Sequence, residues 1–246
     1  MFWGPFRDCA HTVVPPVSES TGVSDFMLRC FLVMLPATAV SLTVSEARTG
    51  LMTALAPVDR GFRATPAQRR TVDDALRKVI AAGNGEVSMA TDLTGDWELL
   101  YSDAPDIVGL PRQAGPLATV SRVGQQIDAE AGTIENVIEY LPRDWVKGIG
   151  GSTLADDALQ QRVLLTYEME GSKVNLKIAG AAFKPKKILG VNLDAAPSPT
   201  LQGVVTLPFG NFEVLFNDGD LRIVKTAQGY WGVNRRMPSD DGWGSR

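Results

Sequence analysis

Val163-Leu164-Leu165-Thr166-Tyr167-Glu168-Met169-Glu170-Gly171-Ser172-Lys173-Val174-Asn175-Leu176-Lys177-Ile178 is the stretch that decides the fold class. Val163, Leu165, Tyr167 and Met169 alternate with Leu164, Thr166 and Glu168, the period of two that turns one face of a strand inward. Gly171-Ser172 then reverses the chain, and residues 174–178 alternate again. The whole reads as an antiparallel pair joined by a tight turn.

Outward from this pair the same signals recur. Trp97, Leu99 and Tyr101 share one face of a strand by alternation, and residues 120–127 and 134–141 are strand-like around a turn at 128–132. Later strands are expected at 201–207, 212–216, 221–225 and 230–235. Asn217-Asp218-Gly219-Asp220 is a hairpin signal because Asp-Gly tolerates positive φ. Before the strands, Thr65-Pro66-Ala67-Gln68 opens a helix with an N-cap, a proline in the first helical position and a capping-box partner. Val72, Leu76, Val79 and Ile80 form its apolar stripe, Gly83 stops it, and Asn84-Gly85 turns the chain. Strands with no helical period between them mean mainly β structure. A closed or nearly closed antiparallel barrel preceded by one amphipathic helix is the economical way to protect so many edges. The Pro- and Gly-rich loops at 104–115 and 185–199 are candidates for a barrel mouth or for simple surface loops.

The 246 residues carry a formal charge of −4, with 21% charged and 44% hydrophobic side chains, the balance of a globular protein. An acidic chain does not suit a nucleic-acid groove. No apolar run approaches the ~20 residues of a membrane-spanning helix. Cys9, His11 and Cys30 are the whole complement of cysteine and histidine. With the N-terminus removed there is no thiol nucleophile, imidazole base, disulfide or zinc-type ligand set. No Gly-rich phosphate loop is present and no carboxylate spacing compels acid/base work. The expectation is a binder with no metal and no cofactor, not an enzyme.

Residues 1–64 read as a targeting region. Residues 27–47 resemble a secretory signal, with Arg29 before the apolar run 30–37 and small residues at Ala37, Ala39, Ser45 and Ala47. Residues 48–64 are rich in Arg, Thr and Ala with Asp59 as their one acid, like a transit peptide. Together they suggest a bipartite address to a plastid with additional membranes, starting at Met1 or Met27. The competing reading of the apolar run is a buried helix. The domain is expected over 65–236, with 237–246 as a flexible tail.

Leu93-Thr94-Gly95-Asp96-Trp97-Glu98-Leu99-Leu100-Tyr101-Ser102 resembles the opening of the plastid lipid-associated protein family, the plastid fibrillins. Three further blocks agree in order: Gly124-Gln125-Gln126-Ile127-Asp128 with Ile134-Glu135-Asn136-Val137-Ile138, then Asp218-Gly219-Asp220-Leu221-Arg222-Ile223, then Tyr230-Trp231-Gly232-Val233-Asn234-Arg235. The resemblance spans 67–236. It implies a lipocalin-like barrel, a plastid location, and association with lipid globules or thylakoids. It also implies an apolar lipid or isoprenoid partner, such as a carotenoid, prenylquinone or acyl lipid. The alternative is an interaction protein whose filled barrel scaffolds a lipid-metabolising enzyme or a membrane complex.

On that resemblance the candidate ligand-lining residues are Trp97, Leu99, Tyr101, Leu165, Tyr167, Phe212, Val214 and Phe216, although ordinary core packing accounts for all of them. Gly95 and Trp97 form the lipocalin-like start. Arg235, on the face of Trp231 and Val233, is expected to cover the Trp97 indole. Asp220 is expected to cap its turn and Arg222 to pair across strands, with Glu213 as its partner. Phe183, Lys184, Lys186 and Lys187 form a basic, apolar-flanked segment suited to an anionic lipid surface, against the plainer reading of a solvated loop.

Overall fold

The computed structural model describes residues 42–83, 93–150, 158–188, 191–193, 200–202 and 208–243. Among these, ten strands form one antiparallel sheet: β1 Gly95–Ser102, β2 Ala118–Asp128, β3 Thr133–Pro142, β4 Ala158–Glu170, β5 Lys173–Ile188, β6 Val191–Asn192, β7 Thr200–Gln202, β8 Pro208–Asn217, β9 Leu221–Thr226 and β10 Trp231–Arg236. Neighbours run β4-β3-β2-β1-β10-β9-β8-β5, and β4 pairs with β5 to close eight strands into a barrel. The two short strands β6 and β7 add to β5. The hairpin read from the sequence is the β4–β5 pair, with Leu165 opposite Ile178 and Glu170 opposite Lys173.

Residues directly opposite one another in an antiparallel pair share a face, so register assigns each side chain to lumen or exterior. Trp97 lies opposite Arg236 and Gln125, and Leu99 opposite Asn234, all on the lumen side. A bulge between Leu99 and Tyr101 then sets Tyr101 opposite Val233, on the outer face. A second bulge between Val214 and Phe216 does the same: Val214 faces Val224 inside, whereas Phe216 faces Ile223 outside. Strict alternation places Tyr101 and Phe216 inward, and the one extra residue at each bulge overturns it.

The outer face so created carries helices. Helix α2, Pro66–Ala82, begins with the expected capping box between Thr65 and Gln68 and buries Val72, Leu76 and Val79. The turn expected at Asn84-Gly85 lies outside the described residues. A further helix, α1 Val44–Leu55, precedes it with its own capping box between Thr43 and Glu46. Ala47, Leu51 and Leu55 recur every four residues and are buried with α2 against Tyr101, Phe216, Leu221, Ile223, Trp231 and Val233. The stretch 48–64, expected as transit-like, therefore supplies Leu51, Leu55 and Val58 to the core, and its Thr49 and Thr53 form the solvent face of an amphipathic helix. Arg48 pairs with Asp218 at 2.5 Å, tying α1 to the β8–β9 turn. The signal-like run up to residue 41 lies outside the described residues.

The loop expected at 104–115 is mostly two short helices, α3 Pro105–Val108 and α4 Leu110–Gln113. Leu110 packs there with Leu99, Val120 and Val123. Helix α5, Asp144–Gly150, follows β3.

Residues 237–243 are not a loose tail. They cross the outside of β1–β3, where Trp243 is fully buried beside Val137 and Met237. Its backbone N–H donates to Asp96 Oδ2 at 2.9 Å and its indole Nε1 to the Gln125 carbonyl at 3.1 Å. Arg122 stacks over the ring at 4.8 Å and pairs with Glu139 through two 3.1 Å bonds.

Candidate functional site

The lumen is closed at one end by Trp97. Its side chain is fully buried, and Nε1 donates to the Leu93 carbonyl at 2.8 Å. Two guanidinium groups lie over the indole, Arg236 at 4.4 Å and Arg222 at 4.5 Å. Arg236 is further fixed by donating to the carbonyls of Thr94 and Gly219. Gly95 adopts φ +127°, and a Cβ there would come within 2.6 Å of Arg236 Nη1, so glycine makes room for the cation. The cover expected from Arg235 comes from Arg236 instead. Lumen parity on β10 runs through Gly232, Asn234 and Arg236, and Arg235 points outward to Glu98 at 2.6 Å.

Arg222 also differs from expectation. It faces the lumen opposite Asn234, and it donates to Gln125 Oε1, not to Glu213. Glu213 accepts from Ser172 Oγ at 3.0 Å. Arg222 is fully buried, and burial, with Arg236 nearby, brings its pKa down to about 9. The turn beside it is capped by Asp218, whose Oδ1 accepts from the backbone N–H of Asp220 and Leu221 at 3.0 and 2.8 Å. Asp220 contributes its carbonyl, which accepts from the Arg236 N–H at 2.8 Å.

From Arg222 a polar file crosses the lumen. Gln125 Nε2 donates to Asn136 Oδ1 at 2.9 Å, and nearer the other end Tyr140 OH donates to Gln161 Oε1 at 3.2 Å. The remaining wall is apolar: Leu165, Val174, Leu176, Phe212, Val214 and Val224 pack with Trp97, joined by the half-buried Val163, Tyr167 and Ile178. Lumen-facing Gln125, Asn136, Val163 and Ile178, in the middle of strands, are half-buried and not fully buried. Burial raises the pKa of both Tyr140 and Tyr167, so both stay neutral phenols at ordinary pH.

At the opposite end the apolar side chains of the described residues are partly covered, with Leu110 packed on Leu99, Val120 and Val123 beside Phe62, Ile107 and Tyr140. Leu159, opposite Tyr140, is 38% exposed, and Phe183, opposite Gln161, is 47% exposed. Leu117 and Trp145, at 59% and 52%, flank the start of β2 and the end of β3 at the same end of the barrel, where the Arg143 N–H donates to the Leu117 carbonyl. The expected basic segment lies on strand β5 and is split by a bulge, with Pro185 opposite Leu159 and Lys187 opposite Ala158. Lys184 and Lys187 are half-buried, but Lys186 is 3% exposed and does not offer a charge to a surface.

Trp97, Leu99, Leu165, Tyr167, Phe212 and Val214 are thus lumen residues, while Tyr101, Phe216 and Trp231 hold the helices. Sequence reasoning missed Gln125, Asn136, Tyr140, Gln161 and Arg236 as lumen residues, together with the Leu117–Trp145 rim. Their signal is parity with Trp97 through the strand registers, which no single strand reveals. A polar groove outside the closed end, lined by Thr94, Asp96, Asp128, Glu130 and Glu135, has the wrong chemistry for an apolar ligand. Among the described residues no three His, Cys, Asp or Glu side chains converge as metal ligands would, and no helix is long and apolar enough to cross a membrane.

Comparison with known proteins gives the same answer along most of the chain. The PAP_fibrillin family model matches residues 45–233, from α1 through β10. "Probable plastid-lipid-associated protein 10, chloroplastic" of Arabidopsis thaliana is 30% identical over 138 residues, 52% of this chain and 49% of that protein. "Probable plastid-lipid-associated protein 11, chloroplastic" of the same plant is 25% identical over 229 residues, 91% of each chain. The matched region thus spans about half the length of the first relative and most of the second.

Proposed function

The chain belongs to the PAP_fibrillin family, and from that premise we propose that its barrel holds an apolar lipid in the lumen and works at a lipid surface of the plastid, without covalent chemistry. One observation carries the reading: the lumen side carries a large apolar wall around Leu165, Leu176, Phe212 and Val214, and exposed Leu159 and Phe183 stand at the barrel end away from Trp97, with Tyr140 and Gln161 between them. An acyl or isoprenoid chain lying along that wall gains about 0.8 kcal/mol per buried methylene before ordering costs. Half-buried lumen positions support an open carrier over a barrel filled by its own side chains. The plastid location is supported by the two relatives named as chloroplastic, and a lipid globule or thylakoid is the surface we propose.

The test is mass spectrometry of lipids extracted from the full chain after non-denaturing purification from its plastid fraction. A carotenoid, quinone or acyl lipid at stoichiometric yield is the expected result. A lipid-free protein that also fails to take up any apolar chain in vitro overturns the proposal.

A further inference from the structure

The carrier reading leaves one lumen group without a role. Arg222 is fully buried, and Nε and Nη1 have no hydrogen-bond partner. Its Nη2 reaches only the neutral Gln125. Among the described residues no Asp or Glu occupies a lumen-facing position on the eight barrel strands. Glu98, Glu135, Glu139 and Glu213 all fall on the outward parity, opposite Arg235, Gln126, Arg122 and Lys225. The nearest strong charge is another cation, Arg236, which lowers the Arg222 pKa rather than supporting it. Stacking on Trp97 offsets part of the desolvation, roughly what a buried cation–π contact supplies, but a buried guanidinium ordinarily has a carboxylate or phosphate partner.

We propose that Arg222 is the anchor for the head group of the bound lipid, and that the ligand is a long-chain carboxylate whose tail lies along the apolar wall toward Leu159 and Phe183. This rests on the carrier reading and narrows it to an anionic amphiphile, setting aside neutral pigments and quinones as the lumen ligand. The approach is through Gln125, which is half-buried in the lumen and is also the hydrogen-bond partner of Arg222. A ligand carboxylate entering beside Gln125 meets the two unbonded guanidinium nitrogens. The charge count selects a monoanion. Arg236 already spends Nε and Nη1 on the carbonyls of Gly219 and Thr94, which leaves one guanidinium for the ligand and no second cation for a diphosphate.

The test uses the delipidated full chain with palmitate, hexadecyl phosphate and hexadecanol, which share one tail and differ in head. Affinities are read by displacement of a fluorescent apolar probe. Palmitate is expected to bind roughly tenfold to a hundredfold more tightly than hexadecanol, the range of a charge-assisted hydrogen bond. Arg222→Met should remove that difference and leave hexadecanol binding intact. Tighter binding of hexadecyl phosphate than of palmitate would overturn the choice of carboxylate. Equal affinity for palmitate and hexadecanol in the natural chain would overturn the anchor while leaving the carrier reading standing. Failure of all three probes would overturn both. Should Arg222→Met not fold, carboxyl-labelled palmitate decides the matter in the natural chain. Its bound carboxyl carbon titrates below its free value beside a guanidinium, and above it in an apolar lumen that offers no cation.

Discussion

Trp231 Nε1 donates to Asp73 Oδ1 across 2.7 Å, joining the last barrel strand to the helix packed outside it. Asp73 also accepts from Arg77 one turn further along α2, at 2.9 Å. Partial burial pushes the carboxyl upward, but these two hydrogen bonds outweigh it and hold Asp73 below its ordinary pKa. A folded-state pKa below the unfolded one gives stability that is complete above the unfolded value of about 3.9 and disappears as pH falls through the folded value.

Asp73→Asn is therefore expected to cost about 1 kcal/mol at pH 7, the net worth of a weakened hydrogen bond to a charged acceptor. The natural chain should lose this advantage on acidification below pH ~4, so that the two proteins converge. Thermal unfolding of both across that range checks it, and parallel pH curves with a constant gap would show that Asp73 is not the acceptor that matters.

Gly124 sits where two layers close on β2. A Cβ there would come within 1.9 Å of the Trp97 carbonyl oxygen and 2.6 Å of Trp243 Cζ2. The carbonyl belongs to a paired strand and cannot swing aside. Gly124→Ala should cost about 3 kcal/mol, the upper end of overpacking penalties. Gly148 on α5 has no heavy atom within 4 Å of its Cβ position, and Gly148→Ala should be neutral or slightly stabilising. Urea unfolding of the pair separates a steric cause from a general effect of adding a methyl group.

Arg122 and Glu139 form a bidentate pair at 8% and 4% side-chain exposure beneath the Trp243 segment. Removing one partner leaves the other charge buried, so Arg122→Met and Glu139→Leu should each cost about 3–5 kcal/mol. The double variant should regain most of that loss, because an apolar pair needs no compensation there. A double-mutant cycle in denaturant measures the coupling. Additive losses would mean that the pair matters through Asp241 and Gln160, which also contact it, and not through its own charge balance.

The hairpin at 163–178, the α2 caps and the closing strands were legible because each depends on neighbours within a few residues. Three features were not. The bulges after Leu99 and Val214 shift Tyr101 and Phe216 from lumen to exterior, and the aromatic alternation there looks the same with or without an inserted residue. Helix α1 has the Arg, Thr and Ala content of a leader, and its Ala47-Leu51-Leu55 stripe becomes a core only once the outer face of the barrel exists to receive it. Parity on β10 was assigned from its apolar residues, on the premise that apolar means inward. Here helices cover the apolar Trp231 and Val233, while the polar Asn234 and Arg236 face the lumen. A barrel wrapped by helices on one side reverses that inference for the wrapped strands.

Exposed Trp145 and Phe183 lie at the barrel end away from Trp97, with half-buried Lys184 and Lys187 on the same stretch of β5 as Phe183. An aromatic ring already half in water loses little folding stability when replaced, yet each can bury substantial apolar area on entering a lipid surface. The combined Trp145→Ser and Phe183→Ser change is expected to leave the melting temperature within about 2 °C of the natural chain, since surface substitutions stay near ±0.5 kcal/mol. It should lower flotation with phosphatidylcholine vesicles at least tenfold. Adding phosphatidylglycerol should strengthen binding of the natural chain by up to about 1 kcal/mol for each lysine that reaches the surface, and salt should reverse that gain. Lys184 and Lys187 can contribute in this way, whereas Lys186 is buried in the fold, so Lys186→Gln should alter stability and leave the phosphatidylglycerol response unchanged. Unimpaired flotation of the double serine variant would place the lipid-contacting surface elsewhere on the barrel.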